Sequence, residues 1–374
     1  RYKFIHYSMS LVPKYIKNLS PYVPGRRIED VKSFSDTSNI IKLSSNENPL
    51  GPSNESIIAA QKVIKNAHRY PDSSGYNLRK LLAKKYSVNI DNVILGNGSE
   101  GIMSTIIRTF LHGDDQLISS EDSFIGFRVL ANASGYLVHW VKTDNYYYDL
   151  CSIAKKINNK TKIIYLANPD NPTGTYFTKS VFDDFIKKVP GRVLVILDEA
   201  YYEYAMHIPD YPNSMIYRYD NVITLRTFSK CYGLAGFRVG YGFAHKLLID
   251  NLMKVKLPFE PSLPAQAAAI AALEDEKHLE RSLKENIKGM GLLEQVFRSL
   301  NLKTIPSVAN FITLIFKDET TANNFLEQVL KKGVILRGLK GFGLPSCVRV
   351  TIGSSSENKY FISVLKDLRK KKII

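Results

Sequence analysis

The 374-residue chain is 44% hydrophobic and 23% charged, a balance that supports packed cores throughout and excludes a carrier of disordered tails. Its length exceeds one simple core and suits a large domain with a smaller partner. The net charge of +16 raises nucleic acid or an anionic membrane as partners, but the basic residues are scattered and the one dense run is Arg369-Lys370-Lys371-Lys372. A solvated surface is the reading, with no nucleic-acid partner.

The start, Arg1 to Ser8, lacks the continuous apolar core of a signal peptide. No run approaches the ~18 apolar residues of a membrane span, so no membrane partner is expected. Met9 is a candidate natural start, with residues 1 to 8 an upstream extension or remnant. Cys151, Cys231 and Cys347 are odd in number, far apart and without C-x-x-C spacing, which points to free thiols, a reducing compartment and a cytoplasmic protein.

From Ile57 to about Lys254 amphipathic runs alternate with short apolar runs, the pattern of an α/β layer. The expected strands are Val93 to Leu95, Gln116 to Ser119, Leu137 to Val141, Lys162 to Leu166, Val193 to Leu197, Val222 to Leu225 and Val239 to Gly242. Helices such as Ser99 to Leu111 and Lys179 to Lys188 lie between most of them. A mostly parallel sheet gathers ligands at the carboxyl ends of its strands. Beyond Pro264 a helical stretch from Ala265 to about Leu300 leads into Phe311 to Phe316, Thr320 to Lys332, Gly333 to Leu336 and Val348 to Ile352. That pattern predicts a smaller α+β domain. The expected division is an N-terminal arm and part of the small domain over 1–53, a large domain over 54–276 and a C-terminal small domain over 277–374.

Four motifs follow successive expected strands. Gly96-Asn-Gly98-Ser99-Glu100-Gly101 matches G-x-G-x-x-G, with Glu121 further on as a dinucleotide fingerprint asks. What it ensures physically is a helix N-terminus whose backbone N–H groups cradle a phosphate, mono- or di-. In Asn168-Pro-Asp170-Asn171-Pro172-Thr173-Gly174 two prolines fix the backbone around Asn171 and aim its amide. Arg192-Val-Leu-Val-Ile-Leu197-Asp198-Glu199 reads as a buried strand delivering two carboxylates, like a Walker B strand. No G-x-x-x-x-G-K-[ST] accompanies it, so nucleotide hydrolysis lacks its cradle. In Thr227-Phe-Ser229-Lys230-Cys-Tyr-Gly233-Leu-Ala-Gly236-Phe-Arg238 a lysine sits among hydroxyls and small residues, where poor solvation makes it a nucleophile. Arg238 can return as an anion clamp.

His6, His68, His112, His139, His207, His245 and His278 form no metal-ligand pair, so no metal is expected. No G-x-S-x-G elbow supports a serine hydrolase. A phosphate cradle, a carboxylate, an aimed amide and a reactive lysine at one sheet edge together fit pyridoxal 5'-phosphate (PLP). An NAD-dependent dehydrogenase, the rival outside that chemistry, leaves Lys230 unemployed.

Asn171-Pro-Thr-Gly174, Asp198-Glu-Ala-Tyr201 and Ser229-Lys230 with Gly236 and Arg238 resemble the class I/II aminotransferases of PLP fold type I. Ser45-Asn46-Glu47-Asn48-Pro49-Leu50-Gly51-Pro52, Arg69-Tyr70-Pro71-Asp72 and Leu234-Ala-Gly-Phe-Arg-Val-Gly240 narrow the resemblance to the histidinol-phosphate aminotransferase family, from about Val12 to about Lys366.

The resemblance implies that Lys230 forms the Schiff base with PLP and shuttles the proton, while Asp198 pairs with the ring nitrogen. Asn171 and Tyr201 would bond the phenolic oxygen, and Phe124 would stack on the ring. Gly98, Ser99 and Glu100, with Thr227, Ser229 and Arg238, would hold the phosphate, joined by Tyr70 from the neighbouring subunit of a homodimer. Tyr22, Asn46, Arg337 and Arg349 would line the substrate pocket. The implied reaction transfers the amino group of L-histidinol phosphate to 2-oxoglutarate, giving imidazole acetol phosphate and L-glutamate, in histidine biosynthesis. An aromatic amino-acid aminotransferase and a threonine-phosphate decarboxylase share the scaffold. Phe124 for the commoner Tyr, Cys231 beside the lysine and the loop Gly338 to Pro345 depart from the family pattern.

Overall fold

The structure is a computed structural model that describes residues 11–32, 39–215 and 219–371. Met9, residues 1 to 8, His6 and Lys372 of the basic run lie outside the described residues. The strands are β1 (Ile41–Lys42), β2 (Val93–Gly96), β3 (Gln116–Ser120), β4 (Leu137–Val141), β5 (Thr161–Ala167), β6 (Leu194–Asp198), β7 (Val222–Thr227), β8 (Gly240–Phe243), β9 (Lys303–Ile305), β10 (Phe311–Ile315), β11 (Val334–Ile335), β12 (Arg337–Gly338) and β13 (Cys347–Thr351).

Seven strands form one sheet in the order β2-β8-β7-β6-β5-β3-β4. The central strands β6 and β7 are buried at every position, as continuous apolar runs such as Leu194-Val-Ile-Leu197 require when helices cover both faces. β5, β6 and β7 pair in parallel, whereas β8 runs antiparallel to both β7 and β2. That reversal positions the site. The chain leaves β7 at Thr227, loops through Lys230 and enters β8 just after Arg238, so both ends of the loop lie at the carboxyl edge of the parallel strands.

The large core gathers Ile102 and Ile106 from the helix Gly98–Phe110, Phe182 and Phe185 from the helix Lys179–Ile186, and the strand residues between them. The fold class read from the sequence is borne out, with one local correction. The helical stretch expected from Ala265 to Leu300 is two helices, Leu263–Glu274 and Glu276–Ser299. Asp275 breaks it because its carboxylate accepts from the His278 N–H at 3.0 Å, the work of an N-cap rather than of a helix interior. Within the expected run Gly333 to Leu336 lies β11, and β12 follows it from Arg337. β11 pairs in parallel with β1, and β12 turns to pair antiparallel with β13.

The four-stranded sheet β12-β13-β10-β9 carries a second core, in which Phe297, Phe325, Phe361 and Val350 pack together. Among the described residues no helix is long and apolar enough to cross a membrane.

Candidate active site

A cavity of about 980 Å³, its open mouth included, lies at the carboxyl edge of the large sheet and reaches to β12 and β13. Its lining contains Gly98, Ser99, Glu100, Phe124, Asn171, Asp198, Tyr201, Thr227, Ser229, Lys230 and Arg238. Tyr22, Asn46, Arg337 and Arg349 line it as well. Of the site residues that the family resemblance implies, Tyr70 alone stands outside it. The Tyr70 ring is 79% exposed and stacks on Phe259 with centroids 4.3 Å apart.

β6 ends by parting the two carboxylates that the sequence placed together. Neighbouring residues of a strand face opposite ways, so Asp198 lines the cavity while Glu199 turns to the buried Arg226, Nη2 to Oε2 at 2.8 Å. Asp198 is 3% exposed. Its Oδ2 accepts from the Tyr165 hydroxyl at 2.7 Å, and its Oδ1 has no partner. Burial pushes its pKa up to about 7. An orphaned, buried carboxylate oxygen is costly, and a cationic ring N–H is the kind of donor that would satisfy it.

Lys230 follows β7 in a loop closed by hydrogen bonds from Gly233 N–H to Lys230 C=O at 3.0 Å and from Leu234 N–H to Phe228 C=O at 3.0 Å. Its Nζ donates to the Ser45 carbonyl at 3.3 Å and lies 5.6 Å from the centre of the Tyr201 ring. Burial, with the neighbouring Arg349 cation, lowers its pKa to about 8, which suits a nucleophilic amine at neutral pH.

The anion end is built from the helix Gly98–Phe110, whose first N–H groups have no intrahelical partner. Gly98 has φ +69°, and a Cβ on Gly240 would stand 2.5 Å from the Ser99 nitrogen. Only glycine lets β8 lie so close beneath the cradle. Thr227 donates its hydroxyl to Ser229 Oγ at 3.0 Å, and Arg238 Nη1 donates to the same Oγ at 3.4 Å. Arg238 also pairs with Glu100, Nη2 to Oε2 at 2.9 Å.

On the far side, Arg349 is 5% exposed. It donates to Asn171 Oδ1 and, at 2.9 Å, to the Ser44 carbonyl, while its Nε has no partner. Burial brings its pKa down to about 10, Tyr201 opposes that, and Arg337 adds to it. Tyr201 accepts from Asn46 Nδ2 at 2.8 Å. Arg337 donates to the Val23 carbonyl at 3.0 Å, and Phe342 lies under both guanidinium groups at 5.7 and 5.6 Å.

Sequence reasoning did not find Phe342 or Tyr165, and it quoted Gly240 in a motif without a role. Phe342 lies in the loop without a signature, and the other two act through neighbours distant in the chain. Glu121 does not line the cavity, so the acidic partner that a dinucleotide site asks of it is missing there. Among the described residues no group of His, Cys, Asp and Glu could hold a metal ion.

Residues 38–365 match the family model for class I and II aminotransferases, the class that this fold and this lysine-centred cavity define. The chain is 41% identical to the histidinol-phosphate aminotransferase of Moorella thermoacetica, over 94% of this chain and 92% of that one. It is 41% identical to histidinol-phosphate aminotransferase 1 of Nitrosococcus oceani, over 94% and 95%. Among solved structures, the histidinol-phosphate aminotransferase of Sinorhizobium meliloti in complex with pyridoxal-5'-phosphate superposes with a TM-score of 0.88. It is 25% identical, with 97% of this chain and 99% of that one covered. An aspartate aminotransferase of Thermus thermophilus shares the fold, with a TM-score of 0.83 at 20% identity, over 98% and 100%. The chain belongs to the histidinol-phosphate aminotransferase family.

Proposed function

We propose that this protein uses PLP to transfer the amino group of L-histidinol phosphate to 2-oxoglutarate, yielding imidazole acetol phosphate and L-glutamate in histidine biosynthesis. One observation carries the reading. The buried amine of Lys230, the orphaned Asp198 Oδ1 and the helix-end cradle at Gly98 to Glu100 line the same cavity, the three features that an aldehyde, a protonated pyridine ring and a phosphate on one small molecule require. Bound PLP supplies an aldehyde for the amine and a ring that takes up the electron pair of a broken C–H bond.

The chain's own residues do the rest. Asp198 holds a proton on the ring nitrogen through Oδ1. Asn171 and Tyr201 hydrogen-bond the phenolic oxygen, and Phe124 covers the ring face. Gly98, Ser99 and Glu100 backbone groups, the Thr227 and Ser229 hydroxyls and Arg238 bind the phosphate. Lys230 would present its amine to the aldehyde and, when free, would hold and move the proton at the amine-bearing carbon of the substrate. A pKa near 8 lets it act as both base and acid.

Arg349 and Arg337 bind the anionic end of each substrate in turn, the phosphate of the donor and a carboxylate of the acceptor, within a pocket that Tyr22 and Asn46 complete. Planar guanidinium groups suit both anions. Tyr70, exposed and stacked on Phe259, reaches the phosphate of a neighbouring subunit in a homodimer. We place the protein in the cytoplasm, a setting that suits the free thiols of Cys151, Cys231 and Cys347.

The test is a donor panel with 2-oxoglutarate, followed by glutamate formation. Fast turnover of histidinol phosphate supports the reading. Faster turnover of aromatic amino acids, or CO₂ release without 2-oxoglutarate, replaces it with an aromatic aminotransferase or a threonine-phosphate decarboxylase.

A further inference from the structure

Tyr165 lies on β5, wholly buried, and its ring stacks on Phe127 with centroids 4.0 Å apart and planes 6° from parallel. β5 and β6 are paired in parallel with Tyr165 opposite Ile196. Asp198, two residues beyond Ile196, therefore emerges on the same face. The phenol donates to Asp198 Oδ2 at 2.7 Å. The second oxygen, Oδ1, has no partner, and Asp198 lines the cavity.

We infer that Tyr165 is a positioning residue for the cofactor ring, occupying one oxygen of Asp198 so that the carboxylate stays ionised and presents Oδ1 alone to the ring nitrogen. The inference rests on the PLP reading above and deepens it, because it states why a buried carboxylate on β6 has a fixed orientation and a single free oxygen. Without the phenol's hydrogen bond, Asp198 has lost a donor that favours its charged form, and its rotation is less constrained.

The charged and titratable neighbours of the pair are few. Glu100 approaches Asp198 from the helix after β2, and Glu199 and Tyr201 come from its own stretch. Tyr148 and Asp170 face the Tyr165 hydroxyl. Burial raises the pKa of Tyr165 well above the ordinary phenol value, so it remains a neutral donor throughout the working pH range.

Tyr165→Phe removes the hydroxyl and keeps the ring on Phe127, so packing is preserved. The test compares the affinity of the apoprotein for PLP with its affinity for 1-deaza-PLP, in which carbon replaces the ring nitrogen. All other contacts, including that to Lys230, are common to both ligands. Wild type should prefer PLP, and Tyr165→Phe should lose roughly tenfold of that preference, about the worth of one charge-assisted hydrogen bond. In an Asp198→Ala background the same substitution should change the preference little, since the two residues act as one unit. Thermal melts of each variant show that the fold is retained. An undiminished preference in Tyr165→Phe overturns the inference and leaves Tyr165 as packing alone. Equal binding of the two ligands by wild type overturns the placement of Asp198 at the ring nitrogen, and this inference with it.

Discussion

Arg337 and Arg349 stand directly opposite each other on the antiparallel strands β12 and β13. Like charges at such a position repel, and the lowered pKa of Arg349 has Arg337 among its causes. Both side chains edge the cavity, and Arg349 keeps an unpartnered Nε. In the proposed reaction an incoming anion would remove that repulsion, so that substrate binding and its relief would coincide. Arg349→Lys keeps the charge but loses the planar fork and the grip on Asn171. We expect kcat/KM for 2-oxoglutarate to fall on the order of 10–100-fold, the worth of a charge-assisted hydrogen bond. Steady-state kinetics on both substrates checks this, and unchanged values remove Arg349 from anion recognition.

Lys230 sets a pH dependence on cofactor capture. Its pKa of about 8 lies below the ordinary lysine value of 10.5, and only the neutral amine attacks an aldehyde. The rate at which apoprotein takes up PLP should therefore rise with pH and level off above about 8. Stopped-flow absorbance measures it, and a midpoint near 10.5 would show an amine exposed to water.

Arg238 bonds Ser229 Oγ and pairs with Glu100 beside the helix-end cradle. Replacing it with Ala should weaken PLP binding by about 1.5–3 kcal/mol, or roughly 10–100-fold in Kd. Equilibrium dialysis reads the change. An unchanged Kd assigns Arg238 to surface ion pairing only.

Away from the cavity, Glu203 is 3% exposed and its Oε1 has no partner. Burial raises its pKa from 4.5 to about 7, and Arg226 opposes the rise. A folded-state pKa above the unfolded one means that the folded protein holds the proton more tightly. The resulting stability is present below pH 4.5 and lost as pH rises through 7. Glu203→Gln should thus stabilise the protein at pH 8 by on the order of 2 kcal/mol, with the gain shrinking toward pH 4.5. Denaturant titrations at the two pH values test the sign. A gain that is larger in acid contradicts it.

Tyr70 gives a prediction about assembly. If it serves the neighbouring subunit, mixing Lys230→Ala with Tyr70→Ala subunits yields hybrids in which one site keeps both residues. Activity should then exceed the sum of the parents. No gain on mixing, with hybrids shown by mass, places Tyr70 outside the phosphate site.

Much of this was legible because each motif trails an apolar strand: parallel strands bring their carboxyl ends to one edge, and with them Gly98, Asn171, Asp198 and Lys230. Arg238 joined them through the reversal of β8, which the short Val239 to Gly242 run did not announce. The rest depended on pairings distant in the chain. Tyr165 looked like one more apolar residue in β5, and only the register between β5 and β6 puts its hydroxyl against Asp198. β11 exists as a strand because β1 lies beside it. The composition around Glu274-Asp275-Glu276 continues to favour helix, and the break there is set by the Asp275 cap.

The most direct test of the account is chemical marking of the amine. PLP-loaded protein is reduced with borohydride, digested and mapped by mass spectrometry. The account predicts a single pyridoxyl group on the peptide containing Lys230. A mark on another lysine, or no mark on protein that turns over substrate, would contradict it.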